Sequence, residues 1–414
     1  MFKGRGSYLP SLSASGEGGG RGWVRSDLKE KSMVYEALVI GGGINGLSAL
    51  YHLHRLGCRR LGLVEQFRLG HDRGSSHGHS RITRSVYFDP DYVRLMQVVH
   101  GQEWPRLERD AGQRLIHRTP GFFFGPPGGS YPAYARAVAQ MGVDVEPLDV
   151  AEARRRFPQF RFENAVGALH DRTAGLVAAA ETISALTGLC RRNGVEIHEE
   201  CRVTGIDPTR DPVRVETERG AMETERLVVT AGAWVPDLLP FLKGRLKVIR
   251  QRVCYFKPAG PPEDFCVGRF PVWGYLGEGG DRVYYGLPEF GREGIKVARD
   301  LTVGAGDDPQ EGVEAVDDEE VERLRAFLEW QFVPRIERFL GGETCLYTMN
   351  GTKDFIMDLH PDHSRVVIGS CCSGHGFKFG PLTGRVLAEL ALKGRTEVPE
   401  FEAVRVRFAI RREA

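Results

Sequence analysis

The 414-residue chain lacks any apolar run near the ~20 residues that a membrane-spanning helix needs. It also lacks a surplus of charge. Its 56 Lys and Arg offset 55 Asp and Glu, for a net +1, so no nucleic-acid-binding or membrane-surface partner is expected. Its eight cysteines are scattered, with no C-x-x-C pair and no ligand-like spacing. That argues against a disulfide framework or a metal site and for a reducing cytoplasm. The adjacent Cys371 and Cys372 read as small packing residues. What remains, 41% hydrophobic and 27% charged, is ordinary for a soluble enzyme. The length predicts two domains, or one nucleotide domain with a large insertion.

The stretch from Glu36 to Gln66, EALVIGGGINGLSALYHLHRLGCRRLGLVEQ, organises the chain. Ala37 to Ile40 is a short apolar run, as in a strand buried on both faces. Gly41, Gly43 and Gly46 make G-x-G-x-x-G. Helical spacing follows from Gly46 to Leu56, with Gly57 marking the end. A second apolar run, Leu61 to Val64, ends in Glu65. In such a βαβ unit the first glycine allows the tight turn and the second admits a pyrophosphate. The third lets helix pack on strand, and the helix N-terminus faces the phosphate charge. Gly41, Gly43, Ile44, Gly46 and Glu65 are therefore cofactor-binding candidates, Glu65 as acceptor for the ribose hydroxyls. The unit alone does not separate FAD from NAD.

Residues 1–32 are rich in Gly, Ser and charge without apolar periodicity, which predicts disorder. They lack the apolar core of a secretory signal, and a start at Met33 would give a complete domain. After Gln66 comes a His- and Arg-dense loop in which Gly74, Ser75, Ser76 and Gly78 permit backbone approach. Arg81 and Arg84, three apart, would share a face if that stretch were helical. Asp91 to Arg109 reads as an amphipathic helix broken near Pro105. Gly121 to Gly125 is a strand candidate. Val150 to Phe157 is a helix capped by Asp149. Arg226 to Thr230 is a strand running into the small residues Ala231-Gly232-Ala233. From Lys247, VIRQRVCYF, FPVWGYL and RVYYGLP read as strands of an antiparallel sheet. Arg365 to Gly369 and Gly384 to Leu392 return a buried strand and a helix.

Three stretches, GSSHGHSRITR at 74–84, CLYT at 345–348 with FIMDLHPDHSRVVIG, and SGHGFKFGPLTG at 373–384, together resemble the monomeric sarcosine oxidase and N-methyl-tryptophan oxidase family of flavoproteins. TAGAW at 230–234 and YYGLPEFGREGIK at 284–296 match more weakly, in the expected order. The resemblance covers about residues 33 to 395. It implies FAD rather than NAD, on a D-amino-acid-oxidase-like α/β (α+β) fold. A discontinuous Rossmann-like FAD domain (33–115, 166–245, 340–395) would carry an inserted antiparallel-sheet substrate domain (116–165, 246–339) and a tail (396–414).

The resemblance also implies roles. Cys345 matches the cysteine joined through sulfur to the flavin, chemistry that a thiolate near cationic side chains would perform. Arg84 and Lys378 match ligands of the substrate carboxylate. Arg81 and His77 match positions beside the flavin, as do Gly374, Gly376 and Phe377 next to Lys378. Tyr285 matches an active-site tyrosine. Lys296 matches the lysine that promotes reaction of reduced flavin with oxygen, where a fixed positive charge stabilises the anion formed first. Three positions depart from the pattern. Asp300 stands where the oxidases carry histidine, Thr352 where an aspartate is common, and His79 after the glycine of the SSHG stretch.

The chain thus reads as a monomeric, cytoplasmic FAD-dependent amine oxidase. It would act on a secondary amino acid such as sarcosine with molecular oxygen as acceptor. A flavin dehydrogenase serving a quinone or protein acceptor, and a non-catalytic flavin-binding subunit, are the alternatives.

Overall fold

Ala37–Ile40 is buried along its whole length because it lies inside a six-stranded sheet. The computed structural model describes residues 33–279, 283–301, 306–311 and 314–410; the expectations for residues 1–32 lie outside these. The strand order is Glu196–His198, Leu61–Val64, Ala37–Ile40, Leu227–Val229, Val366–Ser370 and Ile356–Leu359. All neighbours are parallel except the last pair. Alternate side chains of these strands enter different cores. Val39 and Leu63 pack under the helices, while Leu38 and Ile40 meet Val203, Val213 and Val215. Those valines belong to a small four-stranded sheet covering the second face.

The glycine turn leads into helix Ile44–Arg55, which crosses helix Gly380–Lys393 at close range. Glycine makes that possible. A Cβ on Gly384 would lie 2.3 Å from the Ser48 Cβ, and one on Gly380 2.2 Å from Ile44 Cγ1. The helix expected over 91–109 is two α-helices, Pro90–Val98 and Trp104–Ala111, joined by a π-turn at Val99–Glu103. The break falls one turn before Pro105, whose missing N–H cannot continue the ladder. Asp89 caps the first helix through Asp91 N, and Asp149 caps Val150–Arg156 through Glu152 N.

The second large sheet has eight strands. Its order is Ile336–Asn350, Leu246–Pro258, Ile295–Arg299, Val283–Leu287, Val272–Leu276, Gly121–Phe124, Ala168–Asp171 and Val145–Leu148. Only Val272–Leu276 and Gly121–Phe124 pair in parallel among these neighbours. Ala168–Asp171 and residues 340–350, assigned above to the nucleotide part, pair within this sheet. One face packs an aromatic core, including Phe122, Phe160, Phe270 and Trp273, against helix Asp318–Gln331. The other face looks into a cavity shared with the glycine turn.

Arg81 does not lie on a helix. Ser80–Thr83 is a strand paired with Gly175–Ala178. Arg81 and Arg84 therefore diverge, as residues an odd number apart do along extended chain.

Candidate active site

A cavity of about 680 Å³ separates the glycine turn from the eight-stranded sheet. At one end the backbone is drawn tight. Gly41 has φ of +102°, and a Cβ there would sit 2.5 Å from the Thr230 carbonyl oxygen. A Cβ on Gly46 would sit 1.9 Å from the Gly41 oxygen, so the helix can begin at this distance only with glycine. The first helical turn carries no acidic residue, which leaves its positive end to an anion. The Ser76 hydroxyl accepts the Ile44 N–H at 3.1 Å. Ser76 was legible only as a small loop residue, and its capping role appears with the fold. Glu65 is buried and accepts N–H groups of Gly42 at 2.7 Å and Phe67 at 2.8 Å. Burial pushes its carboxyl upward, against these hydrogen bonds.

Strand register lays the remaining candidates on one face of the eight-stranded sheet. Glu343, Cys345 and Tyr347 alternate along the edge strand and pair with Val253, Gln251 and Ile249. Val253 pairs in turn with Ala298, and Ala298 with Tyr285. Lys296 and Asp300, two residues either side of Ala298, follow on the same face. At ~6.7 Å per pair of residues they stand about 13 Å apart, at two ends of one wall. All six line the cavity.

At the Lys296 end, the ammonium donates to the Ser80 carbonyl at 3.1 Å. Burial, and then the charge of Arg81, lower its pKa to about 7. The Arg81 guanidinium donates to the carbonyl oxygens of Ser75, His77 and Ser80 and lies 5.5 Å over the Phe377 ring. His77 Nε2 is buried with no partner among the described residues. Burial and Arg81 lower its pKa to about 4, so the ring is neutral at pH 7. Cys345 corrects one expectation. Its thiol is pushed up by burial, which outweighs the opposing charges of Arg81 and Lys296.

At the Asp300 end, the Arg84 guanidinium lies 4.5 Å from the Tyr87 ring centre and 4.9 Å from that of Phe123. Lys378 Nζ lies 5.7 Å from the same Tyr87 ring and donates to the His375 carbonyl at 2.8 Å. Burial, then Arg84, depress the lysine well below its ordinary range. The turn that presents it is held by the Trp104 indole N–H, which donates to the Lys378 carbonyl at 2.9 Å. Gly376 closes that turn, since a Cβ would meet the Cys371 oxygen at 1.7 Å. Gly374 abuts the Tyr347 ring, and Tyr347 and Tyr285 share a hydrogen bond. Of the three departures, Asp300 and Thr352 line the cavity. Thr352 donates to Asn350 Oδ1 in a turn, and His79 packs against Gly291.

The model of the FAD dependent oxidoreductase family matches residues 36–390, nearly the whole described chain. The chain belongs to that family. Monomeric sarcosine oxidase of Streptomyces avermitilis is 36% identical over 89% of this chain and 96% of its own. Human peroxisomal sarcosine oxidase is 33% identical over 87% and 93%. N-methyl-L-tryptophan oxidase of Yersinia pestis is 30% identical over 87% and 95%. Among solved structures, NikD, described as an unusual amino acid oxidase essential for nikkomycin biosynthesis, superposes with a TM-score of 0.78 at 24% identity, over 91% and 98% of the two chains. This last likeness shares the fold.

As a family member the protein is a flavoenzyme, and its residues fit FAD. The Gly41–Gly46 turn gives the approach for a pyrophosphate. Glu65 stands at the end of the second strand for a ribose, and the wall from Cys345 to Lys296 can border the ring system. Among the described residues no cluster of three or more His, Cys, Asp or Glu could hold a metal ion. No described helix is long and apolar enough to cross a membrane.

Proposed function

We propose that this FAD-dependent oxidoreductase oxidises a secondary amino acid, N-methyl or cyclic, with sarcosine as the simplest example. One observation carries the reading. Two buried cations, Arg84 and Lys378, converge on one aromatic ring, Tyr87, with no carboxylate within ion-pair distance of either among the described residues. Like charges crowded in a low-dielectric cavity are costly. A ligand carboxylate relieves that cost and accepts the planar guanidinium fork. Held there, the substrate has one orientation, and catalysis by orientation follows.

The bound flavin supplies the redox chemistry, taking a hydride equivalent from the carbon beside nitrogen and passing electrons to oxygen as hydrogen peroxide. The protein does the rest. Arg84 and Lys378 hold the carboxylate. Tyr285, Tyr347 and Phe123 make the apolar wall that excludes water. Lys296 holds positive charge where oxygen gains an electron. Cys345 would join the flavin covalently through its sulfur, since it lines the cavity and feels the charges of Arg81 and Lys296. Imine hydrolysis then releases an aldehyde if the lost group was methyl.

The same reading takes the protein as a cytoplasmic monomer, with residues 33–115, 166–245 and 340–395 serving the flavin. The test is peroxide release across sarcosine, N-methyl-L-tryptophan, pipecolate, proline and their primary counterparts. Peroxide from the secondary acids but not from methylamine or sarcosine amide is the expected result. Equal turnover of acid and amide sinks the reading.

A further inference from the structure

On the oxidase reading, on which this inference rests, the substrate nitrogen must lose its proton before the adjacent carbon gives up a hydride equivalent. A bound amino acid arrives as an ammonium, and a positioned base takes that proton more effectively than bulk water does. Arg84 weakens the hold of nitrogen on it, and Lys378, kept protonated by the bound carboxylate, has no lone pair to accept it.

Five carboxylates line the cavity: Glu65, Asp237, Asp300, Glu343 and Asp354. Three are engaged. Glu65 accepts two backbone N–H groups. Glu343 pairs with Arg292 at 2.8 Å and accepts from the Tyr255 hydroxyl. Asp354 accepts from Tyr92 and pairs with Arg407 at 2.8 Å. Asp237 follows the Gly232–Trp234 turn, which continues from the strand beside the glycine turn. Asp300 differs from the three engaged carboxylates in its partners, and from Asp237 in being half-buried where Asp237 is exposed. Its backbone N–H bonds the Val283 oxygen, but its carboxylate has neither hydrogen bond nor ion pair among the described residues. It opens into the cavity next to Gly374, whose Cβ position lies 3.6 Å from Oδ1.

We propose that Asp300 receives the proton of the substrate's secondary ammonium and fixes that nitrogen between itself and the Arg84–Lys378 pair. In the step one N–H bond breaks and one O–H bond forms. The electron pair stays on nitrogen, and no group changes oxidation state. The neutral amine is then competent for oxidation, and the carboxyl releases its proton as product leaves. The charged and titratable groups facing Asp300 are Lys353, Arg84, Lys378, Tyr87, Tyr285 and Tyr347. The three cations favour the carboxylate, while burial has the larger effect and raises its pKa, making it a better base. The substrate class narrows accordingly to zwitterionic α-amino acids, whose nitrogen and carboxylate are one carbon apart. An amino acid needing Asp300 for a second, side-chain cation is the competing class.

The experiment is anaerobic reduction of the holoenzyme by sarcosine and by L-pipecolate across pH, in wild type, Asp300→Asn and Asp300→Glu. Equilibrium binding of methoxyacetate, which keeps the carboxylate but has no proton on the nitrogen position, is followed by flavin absorbance. At neutral pH Asp300→Asn should reduce at least about tenfold more slowly, the scale of general-base catalysis. In strong alkali, where free amine is abundant, it should approach wild type. Asp300→Glu should restore the neutral rate, and Asp300→Asn should bind methoxyacetate at least as tightly as wild type. A pH profile unmoved by Asp300→Asn, or a loss equal at every pH, overturns the proposal. So does a requirement for a second basic group on the substrate. A flavin-replete wild type that no secondary amino acid reduces overturns the oxidase reading itself, before any substitution is compared.

Discussion

The Lys296 ammonium donates to the Ser80 carbonyl oxygen at 3.1 Å, and the next residue, Arg81, turns its guanidinium back on the same loop. One strand thus supplies both the anchor of the lysine and the charge that lowers its pKa to about 7, after burial itself. A lowered lysine pKa means that the charge is fully present below about 7 and lost as pH rises through it. Reoxidation of reduced flavin should therefore be fast in acid and fall on the alkaline side, with any bound anion moving the fall upward. Two unit charges about 4 Å apart at an effective dielectric near 20 interact by ~4 kcal/mol, of order a thousandfold in rate. Stopped-flow reoxidation of Lys296→Met should be slower by orders of magnitude and flat with pH, with anaerobic reduction changed much less.

Covalent attachment should also follow pH, in the opposite sense. Burial raises the Cys345 thiol, so the reactive thiolate grows as pH rises. Incorporation of FAD into apoprotein, read as colour retained after acid precipitation, should speed up towards alkaline pH. Cys345→Ser should leave the pigment in the supernatant. Because Lys296 lowers this thiol, Lys296→Met should slow attachment as well. Wild-type pigment that washes out in acid would refute the assignment.

The carboxylate clamp predicts a selective loss. A hydrogen bond to a charged group contributes ~1.5–3 kcal/mol, about ten- to a hundredfold in kcat/KM. Arg84→Ala and Lys378→Ala should each lose this much for sarcosine and far less for sarcosine amide. Steady-state kinetics on both substrates checks it.

Two glycines test the packing in opposite directions. Alanine is the better helix former by ~1 kcal/mol. At Gly188 an added Cβ meets only the Arg192 guanidinium end, at 3.3 Å, so Gly188→Ala should raise the melting temperature slightly. At Gly384 it meets Ser48 Cβ at 2.3 Å and the Ser48 carbonyl carbon at 2.5 Å. Backbone cannot yield cheaply there, and overpacking of ~1–3 kcal/mol should win. Gly384→Ala should lower the melting temperature.

The βαβ unit was legible because its signals are local: a short apolar run, three spaced glycines, a helical period and a terminal acid. The Lys378 turn was legible only through the resemblance of SGHGFKFGPLTG as a stretch. The backbone conformation at Arg81 and Arg84 was not legible, since a loop of small polar residues has no period. Ser80–Thr83 becomes a strand only because Gly175–Ala178 pairs with it. The edge strand Ile336–Asn350 was missed because its outer half, from Glu337 to Thr344, is mostly polar or glycine and half exposed. Its pairing with Leu246–Pro258 fixes the face on which Glu343, Cys345 and Tyr347 stand. The unpaired state of the Asp300 carboxylate is a property of its surroundings, and the sequence marked only that an acid stood there.

The central sheet seats Leu227–Val229 between Ala37–Ile40 and Val366–Ser370, strands far apart along the chain. During synthesis the first of these emerges with the glycine turn intact but with its far neighbour still untranslated. The helix that backs the turn, Gly380–Lys393, comes later still. Pairings of such high sequence separation form slowly. The phosphate-binding end of the cavity therefore cannot be finished until residues 380–393 have been made, so flavin capture waits on chain far downstream of the glycine turn.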